Sequence, residues 1–307
     1  MKASLRAILS ERRVLLPSLV VGGFVLLVGL TTGSSATYDV HAPTATTSTS
    51  SLSATKGTTS GTSSPSQNTP APLLPQVTHL ETPSPLKAVY MTSCIASGKR
   101  LRASLVDLVD RTELNAIVID IKDYSGYVAI ETGDPRFPLN VKGCTMPDIK
   151  EFIAELHERD IYVIGRVTVM QDSVYTKSHP DAAVKRKSDG GTWHDRKGLA
   201  FVDPGATEYW KHMVDLGEIS YEFGFDEINY DYIRYPSDGN MADAYFARTG
   251  STTKVVMMDR FFAYLGKEMR ERKIPISADL FGMTTTNTDD LGIGQSLESA
   301  LLHFDYV

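Results

Sequence analysis

The run Gly224-Phe225-Asp226-Glu227-Ile228-Asn229-Tyr230-Asp231-Tyr232-Ile233-Arg234-Tyr235-Pro236 alternates with a period of two. Ile228, Tyr230 and Tyr232 fall on one face of a strand, and Glu227, Asn229 and Asp231 on the other. The same division recurs on either side. In Ala116–Lys122, Ile117, Ile119 and Ile121 oppose Val118, Asp120 and Lys122. In Ile161–Val169, Val163, Val167 and Val169 oppose Ile164, Arg166 and Thr168, and in Ile276–Phe281, Ile276, Ala278 and Leu280 oppose Ser277 and Asp279. Ala88–Thr92 reads as a first strand and Phe304–Val307 as the start of a sixth.

Helical spacing fills the intervals. One stripe holds Leu101, Leu105, Leu108 and Val109, and a second Ile149, Phe152, Ile153 and Leu156. A third holds Trp210, Met213, Val214 and Gly217, and a fourth Phe262, Leu265 and Met269. Strands alternating with such helices give a parallel sheet with crossover helices. A doubly wound sheet and a (β/α)8 TIM barrel both meet that pattern, and two observations favour the barrel. Ser93-Cys94-Ile95-Ala96-Ser97-Gly98, after the first strand, lacks the glycine-rich dinucleotide fingerprint. Four consecutive strands also turn polar side chains one way toward their C-terminal ends, where a barrel gathers its site. The chain stops within the sixth strand, so the expected α/β barrel is truncated there and the chain reads as a fragment of a longer protein.

The 307 residues include 31 Lys+Arg and 37 Asp+Glu, a net charge of −6 that does not suit a dedicated nucleic-acid binder. Three segments share them. Residues 1–36 place Lys2, Arg6, Arg12 and Arg13 before an uncharged apolar run from Val14 to Leu30. This reads as a signal anchor, or as a signal peptide cleaved near Ser34-Ser35-Ala36. Residues 37–85 are a linker dominated by Ser, Thr and Pro, too poor in apolar side chains to bury a core. Residues 86–307 hold the barrel. The expected location is the cell membrane, single-pass with the C-terminal domain outside the cytoplasm, or secreted after cleavage. Cys94 and Cys144 either form one bridge, as an oxidising compartment permits, or remain two unpaired thiols.

Asp231 and Asp279 sit near the ends of adjacent strands and face the same way. Two such carboxylates can flank a glycosidic bond, one ionised against the oxocarbenium-like centre and the other holding a proton for the leaving oxygen. Lys122 or Arg166 would keep Asp231 charged, and a more apolar setting would raise Asp279. The structural alternatives are an Asp231–Arg234 pair and an Asp279 that only caps the following turn. Asp120 and Lys122 either hold sugar hydroxyls or bridge each other. Arg166 orients a carboxylate rather than moving protons, because it stays protonated. Asp195, Asn229 and Arg234 complete the substrate-binding candidates. Trp193 either stacks on a pyranose face at the rim or packs as an ordinary loop tryptophan. Trp210 reads as core, and His157 as lying on the exposed side of its helix. No metal or other cofactor is expected, since the seven histidines do not cluster and no His-Glu-x-x-His, Gly-x-Ser-x-Gly or Walker pattern occurs.

From Lys87 to the last residue the chain resembles the glycoside hydrolase domain family of exported bacterial proteins, related to α-amylase-like TIM barrels. The resemblance is carried by Ala116-Ile117-Val118-Ile119-Asp120-Ile121-Lys122-Asp123-Tyr124-Ser125-Gly126, by Ile161-Tyr162-Val163-Ile164-Gly165-Arg166 and by Asp195-Arg196-Lys197-Gly198-Leu199-Ala200-Phe201-Val202-Asp203-Pro204. The Asp226–Pro236 run and Ser277-Ala278-Asp279-Leu280-Phe281-Gly282 complete it. It implies a (β/α)8 barrel, a polysaccharide or oligosaccharide substrate, Asp231 as the strand-four nucleophile and Asp279 as a strand-five acid/base. Amylase-like barrels place an arginine two residues before the strand-four aspartate. Here that position is Asn229, which leaves Arg166 or Arg234 as the substitute. Two rival readings stay open: a non-catalytic carbohydrate-binding barrel, and a structural envelope protein that docks a partner.

Overall fold

The computed structural model describes residues 76–307, so the signal or anchor segment and most of the linker lie outside the described residues. Five parallel strands form one sheet in chain order: β1 (Ala88–Met91), β2 (Ala116–Lys122), β3 (Tyr162–Thr168), β4 (Glu227–Asp231) and β5 (Ile276–Ala278). Helices α1 (Ser93–Ser97) and α2 (Lys99–Asp110) join β1 to β2, and α3 (Ile149–His157) joins β2 to β3. Next come α4 (Ser173–Ser178) and α5 (Thr207–Glu222) before β4, α6 (Lys254–Glu271) before β5, and α7 (Leu297–His303) after it. Each strand lies beside its predecessor, the winding of a (β/α) barrel rather than of a doubly wound sheet, whose order reverses. The barrel is not closed. Its sixth strand is represented by a parallel bridge from Ser277 to Tyr306, with the Asp305 N–H donating to Ile276 O at 3.0 Å. Among the described residues no helix is long and apolar enough to cross a membrane.

The apolar stripes of α3, α5 and α6 are buried as their spacing predicts. A Cβ at Gly217 would come within 2.5 Å of the Tyr230 hydroxyl and 2.8 Å of Met269 Cε, so a side chain there would force those groups to move. Helix α2 departs from expectation. Val106 and Val109 are its buried residues, while Leu101 is 52% and Leu108 37% exposed. It lies against the edge strand β1, and a helix there has neighbours on fewer sides than one over the centre.

His157 is not on an exposed face. Its Nε2 lies 3.0 Å from Asp226 Oδ2 and its Nδ1 3.1 Å from Thr78 Oγ1. Residues 78–82, read from composition as linker, cross the N-terminal end of the sheet, where the Leu80 N–H donates to Asp226 Oδ1 at 2.7 Å and Thr82 Oγ1 meets the Tyr162 hydroxyl at 2.9 Å.

Two excursions leave the C-terminal ends of β3 and β4. They meet in a short antiparallel ladder, Lys185 opposite Tyr245 and Arg186 opposite Ala244. The buried Asp203 ties them, accepting from the N–H groups of Gly205 at 2.9 Å, Arg248 at 2.8 Å and Thr249 at 3.1 Å. Cys94 and Cys144 are bridged, with Cα atoms 4.7 Å apart, which fastens α1 to the long loop after β2.

Candidate active site

The inward side chains stand in rows set by the strand register. Asp120 lies beside Arg166, Arg166 beside Asn229, and Asn229 beside Ser277. One pleat nearer the C-terminal end, Thr168 is paired with Asp231. Asp279 follows on from β5, its N–H donating to Tyr230 O at 3.0 Å. Because β3 is the central strand, its arginine reaches carboxylates on both sides. Arg166 Nη1 donates to Asp120 Oδ1 at 2.8 Å, Nη2 donates to Asp231 Oδ2, and Nε lies 3.8 Å from Asp279 Oδ2. Arg166, not Arg234, is therefore the arginine paired with Asp231. Burial alone would lower its pKa, but the Asp231 and Asp120 carboxylates raise it well above the usual range.

The three carboxylates differ. Asp120 is nearly enclosed and accepts the Tyr90 hydroxyl as well as Arg166. Burial pushes its pKa up, against the pull of Tyr90 and Arg166. Asp231 is ion-paired with Arg166 and accepts the N–H of Tyr232, whose φ of 53° lies in the left-handed region that a tyrosine rarely adopts. Such a strained residue directly after a rim carboxylate is common at functional sites. Asp279 pairs only loosely. Removal from water, then the charge of Asp231, raises its pKa, while Asn229 and Arg166 pull it down. Half of its side chain faces the open groove, so solvent screens part of that rise. Asn229 Nδ2 donates to Ser277 Oγ at 3.0 Å and to Asp279 Oδ1 at 3.3 Å. Its own Oδ1 is buried without a hydrogen-bond partner among the described residues.

Of the candidates, Asp120, Arg166, Asn229, Asp231 and Asp279 are brought together. Four are not. Lys122 is opposite Val167 rather than Thr168, because the register shifts between Asp120 and Lys122. The extra residue turns Lys122 to the helix side of the sheet, where Nζ donates to Thr168 O at 2.6 Å and lies 3.0 Å from Asp172 Oδ2. Trp193 is no rim platform. It is 2% exposed, its Nε1 donates to Asn240 O at 3.0 Å, and it packs edge-on to Phe201. Asp195 holds its own turn, with Oδ1 accepting from the N–H groups of Lys197 at 2.9 Å and Leu199 at 2.8 Å. Arg234 turns back to Tyr235 O and Ser237 Oγ, both at 3.2 Å, and leaves Asp231 to Arg166. Tyr90 was missed. Its signal was a tyrosine alternating with Ala88 on a strand only four residues long.

Residues 88–307 match the family described as "Putative glycosyl hydrolase domain". A hypothetical protein from Ruminiclostridium thermocellum ATCC 27405 is similar at 32% identity and a TM-score of 0.54, over 63% of this chain and 98% of that one. A trehalose-6-phosphate hydrolase from Bacillus licheniformis gives 14% identity and a TM-score of 0.47, over 72% of this chain and 48% of that one. A maltogenic α-amylase from Thermotoga neapolitana gives 14% and 0.44, over 64% and 46%. The chain therefore spans nearly all of the first protein and less than half of the other two. No curated protein matches it. With more than two thirds of its residues matched, the whole sheet and all five clustered side chains among them, this chain belongs to the glycosyl hydrolase domain family.

Proposed function

We propose that the inner cluster hydrolyses O-glycosidic bonds of an extracellular or cell-wall polysaccharide in the manner of a (β/α)8-barrel glycosidase. The unequal carboxylate pair around Arg166 carries this reading. Asp231, ion-paired to Arg166, is the ionised partner facing the anomeric carbon. Asp279, whose pKa is raised by burial and by Asp231, holds the proton for the leaving oxygen. Asp120 and Tyr90 fix the guanidinium from the other side, and the unpartnered Asn229 Oδ1 is an acceptor for a sugar hydroxyl. The basic-then-apolar start of the chain and the Cys94–Cys144 bridge support action outside the cytoplasm, either membrane-anchored or secreted.

The test is reducing-end release from a polysaccharide panel by the parent chain and by Asp231→Asn and Asp279→Asn. Each substitution is expected to lower turnover by about 10³-fold or more, equivalent to about 4 kcal/mol of barrier. Undiminished turnover in Asp231→Asn would sink the assignment. Glycan binding without turnover in the parent chain would favour the carbohydrate-binding barrel.

A further inference from the structure

Behind β2 and β3, on the helix side of the sheet, lies a cavity of about 1000 Å³. The loop 125–138, α4 and α5 wall it. It does not open on the inner cluster: Lys122, which lines it, was turned to this side by the register shift. Its floor is the Lys122–Asp172 pair, each residue 1% exposed, with the Tyr209 hydroxyl donating to Asp172 Oδ2 at 2.8 Å.

One wall is a run of rings. Phe137 stacks on His212 at 4.3 Å between centroids, His212 meets Tyr175 at 4.9 Å, and Tyr175 stacks on His179 at 4.1 Å. His212 is 9% exposed, and neither of its ring nitrogens has a hydrogen-bond partner among the described residues. Burial pulls its pKa down to about 4, so at neutral pH the ring offers one donor and one acceptor without charge. The Tyr175 hydroxyl also lacks a partner among the described residues.

The charges at the cavity are compensated. Asp215 takes Arg136 and Lys211, and Glu208 takes Arg248 at 2.7 Å. Only the exposed Lys177 has no opposite partner among the described residues. Apart from Lys177 at the exposed edge, a charged ligand therefore finds no free counter-charge among the described lining residues. A neutral ring with hydroxyls around its edge finds apolar faces to pack on and uncharged groups to bond. The volume exceeds that of one small phenol and suits several linked rings.

We propose that this cavity is a second carbohydrate site, binding neutral glycosyl units of the chain whose linkage the inner cluster cleaves. The substrate class rests on the hydrolase reading; the cavity itself does not.

The test is ring-carbon NMR of the full chain labelled at histidine Cε1, with the His212 signal identified by its loss in His212→Leu. Maltotetraose, cellotetraose and N-acetylchitotetraose are titrated into the Asp231→Asn chain, so that each probe survives, with phenol as a parallel arm. The expected result is a saturable shift of the His212 signal with at least one tetrasaccharide. Val174→Trp, which places bulk in the cavity, should weaken that binding about tenfold or more, the effect of losing roughly one good contact. A His212 signal unmoved by every tetrasaccharide overturns the proposal. So does a signal moved by phenol alone. Hydrolysis is read separately on the parent chain. Turnover with an unmoved His212 removes the cavity site only, whereas a saturable shift without turnover keeps the site and removes the hydrolase.

Discussion

Just before β4, Asp226 is fully buried and accepts from the N–H groups of Leu80 and Val163 and from His157. At the other end of the same strand, Asp231 is about one-fifth exposed, ion-paired to Arg166, and open to the groove. The first carboxylate has its lone pairs filled by the chain itself and fastens residues 78–82 across the base. The second keeps room for something that is not protein. In a barrel-wound sheet the N-terminal end serves stability and sites gather at the C-terminal rim, and on the proposed reading the two carboxylates flanking β4 divide those roles.

Asp226→Ala would break this contrast most directly. It leaves the buried Val163 N–H, the part-buried Leu80 N–H and His157 without their acceptor, so a loss of about 3–5 kcal/mol is expected from urea unfolding. Asp231→Asn in the same experiment should stay within about 1 kcal/mol while turnover collapses. Similar stability losses in the two variants would erase the distinction between base and rim.

His212 sharpens it from a third position, behind the sheet. An unfolded histidine takes its proton near pH 6.5 and the folded one only near 4. Between those values the unfolded chain binds more protons, so stability falls as pH falls. Acidification from pH 7 to pH 4 should cost the parent chain up to about 3 kcal/mol more than His212→Leu, read from unfolding midpoints across that window. Parallel pH profiles would contradict a buried, neutral ring.

Glu227 gives the smallest effect. It sits beside Asp226 but meets the Tyr162 hydroxyl at 3.2 Å rather than a cation, and burial raises its pKa. A raised carboxylate stabilises the fold below its unfolded pKa, and that contribution is lost as pH rises through the folded value. Glu227→Gln should therefore stabilise the chain slightly at pH 7, with the gain vanishing as the pH falls below the ordinary carboxylate range. A destabilised variant at pH 7 would mean that Glu227 is held as firmly as Asp226.

The rows of the inner cluster were legible because parity survives wherever a strand is regular. Arg166, Asn229, Asp231 and Asp279 all faced the side that period-two counting assigned them. Lys122 failed for the same reason turned around, since one extra residue after Asp120 reverses the face and nothing in the composition marks the shift. Trp193 and Arg234 lie in the excursions, where hydrogen bonds to Asn240 O and Ser237 Oγ, rather than any periodicity, decide where a side chain turns. The cavity was invisible to counting altogether, because it is made where loop 125–138 meets two helices distant in sequence.

The single guanidinium of Arg166 among three aspartates leaves the groove with a negative formal charge even when Asp279 keeps its proton. A uronate or sulfated glycan approaching the rim would meet repulsion, a neutral glycan would not, and one bearing free amines would be drawn in. On the proposed hydrolase reading, the cluster would sort polymers by charge before any sugar or linkage is recognised, and added salt would blunt that sorting.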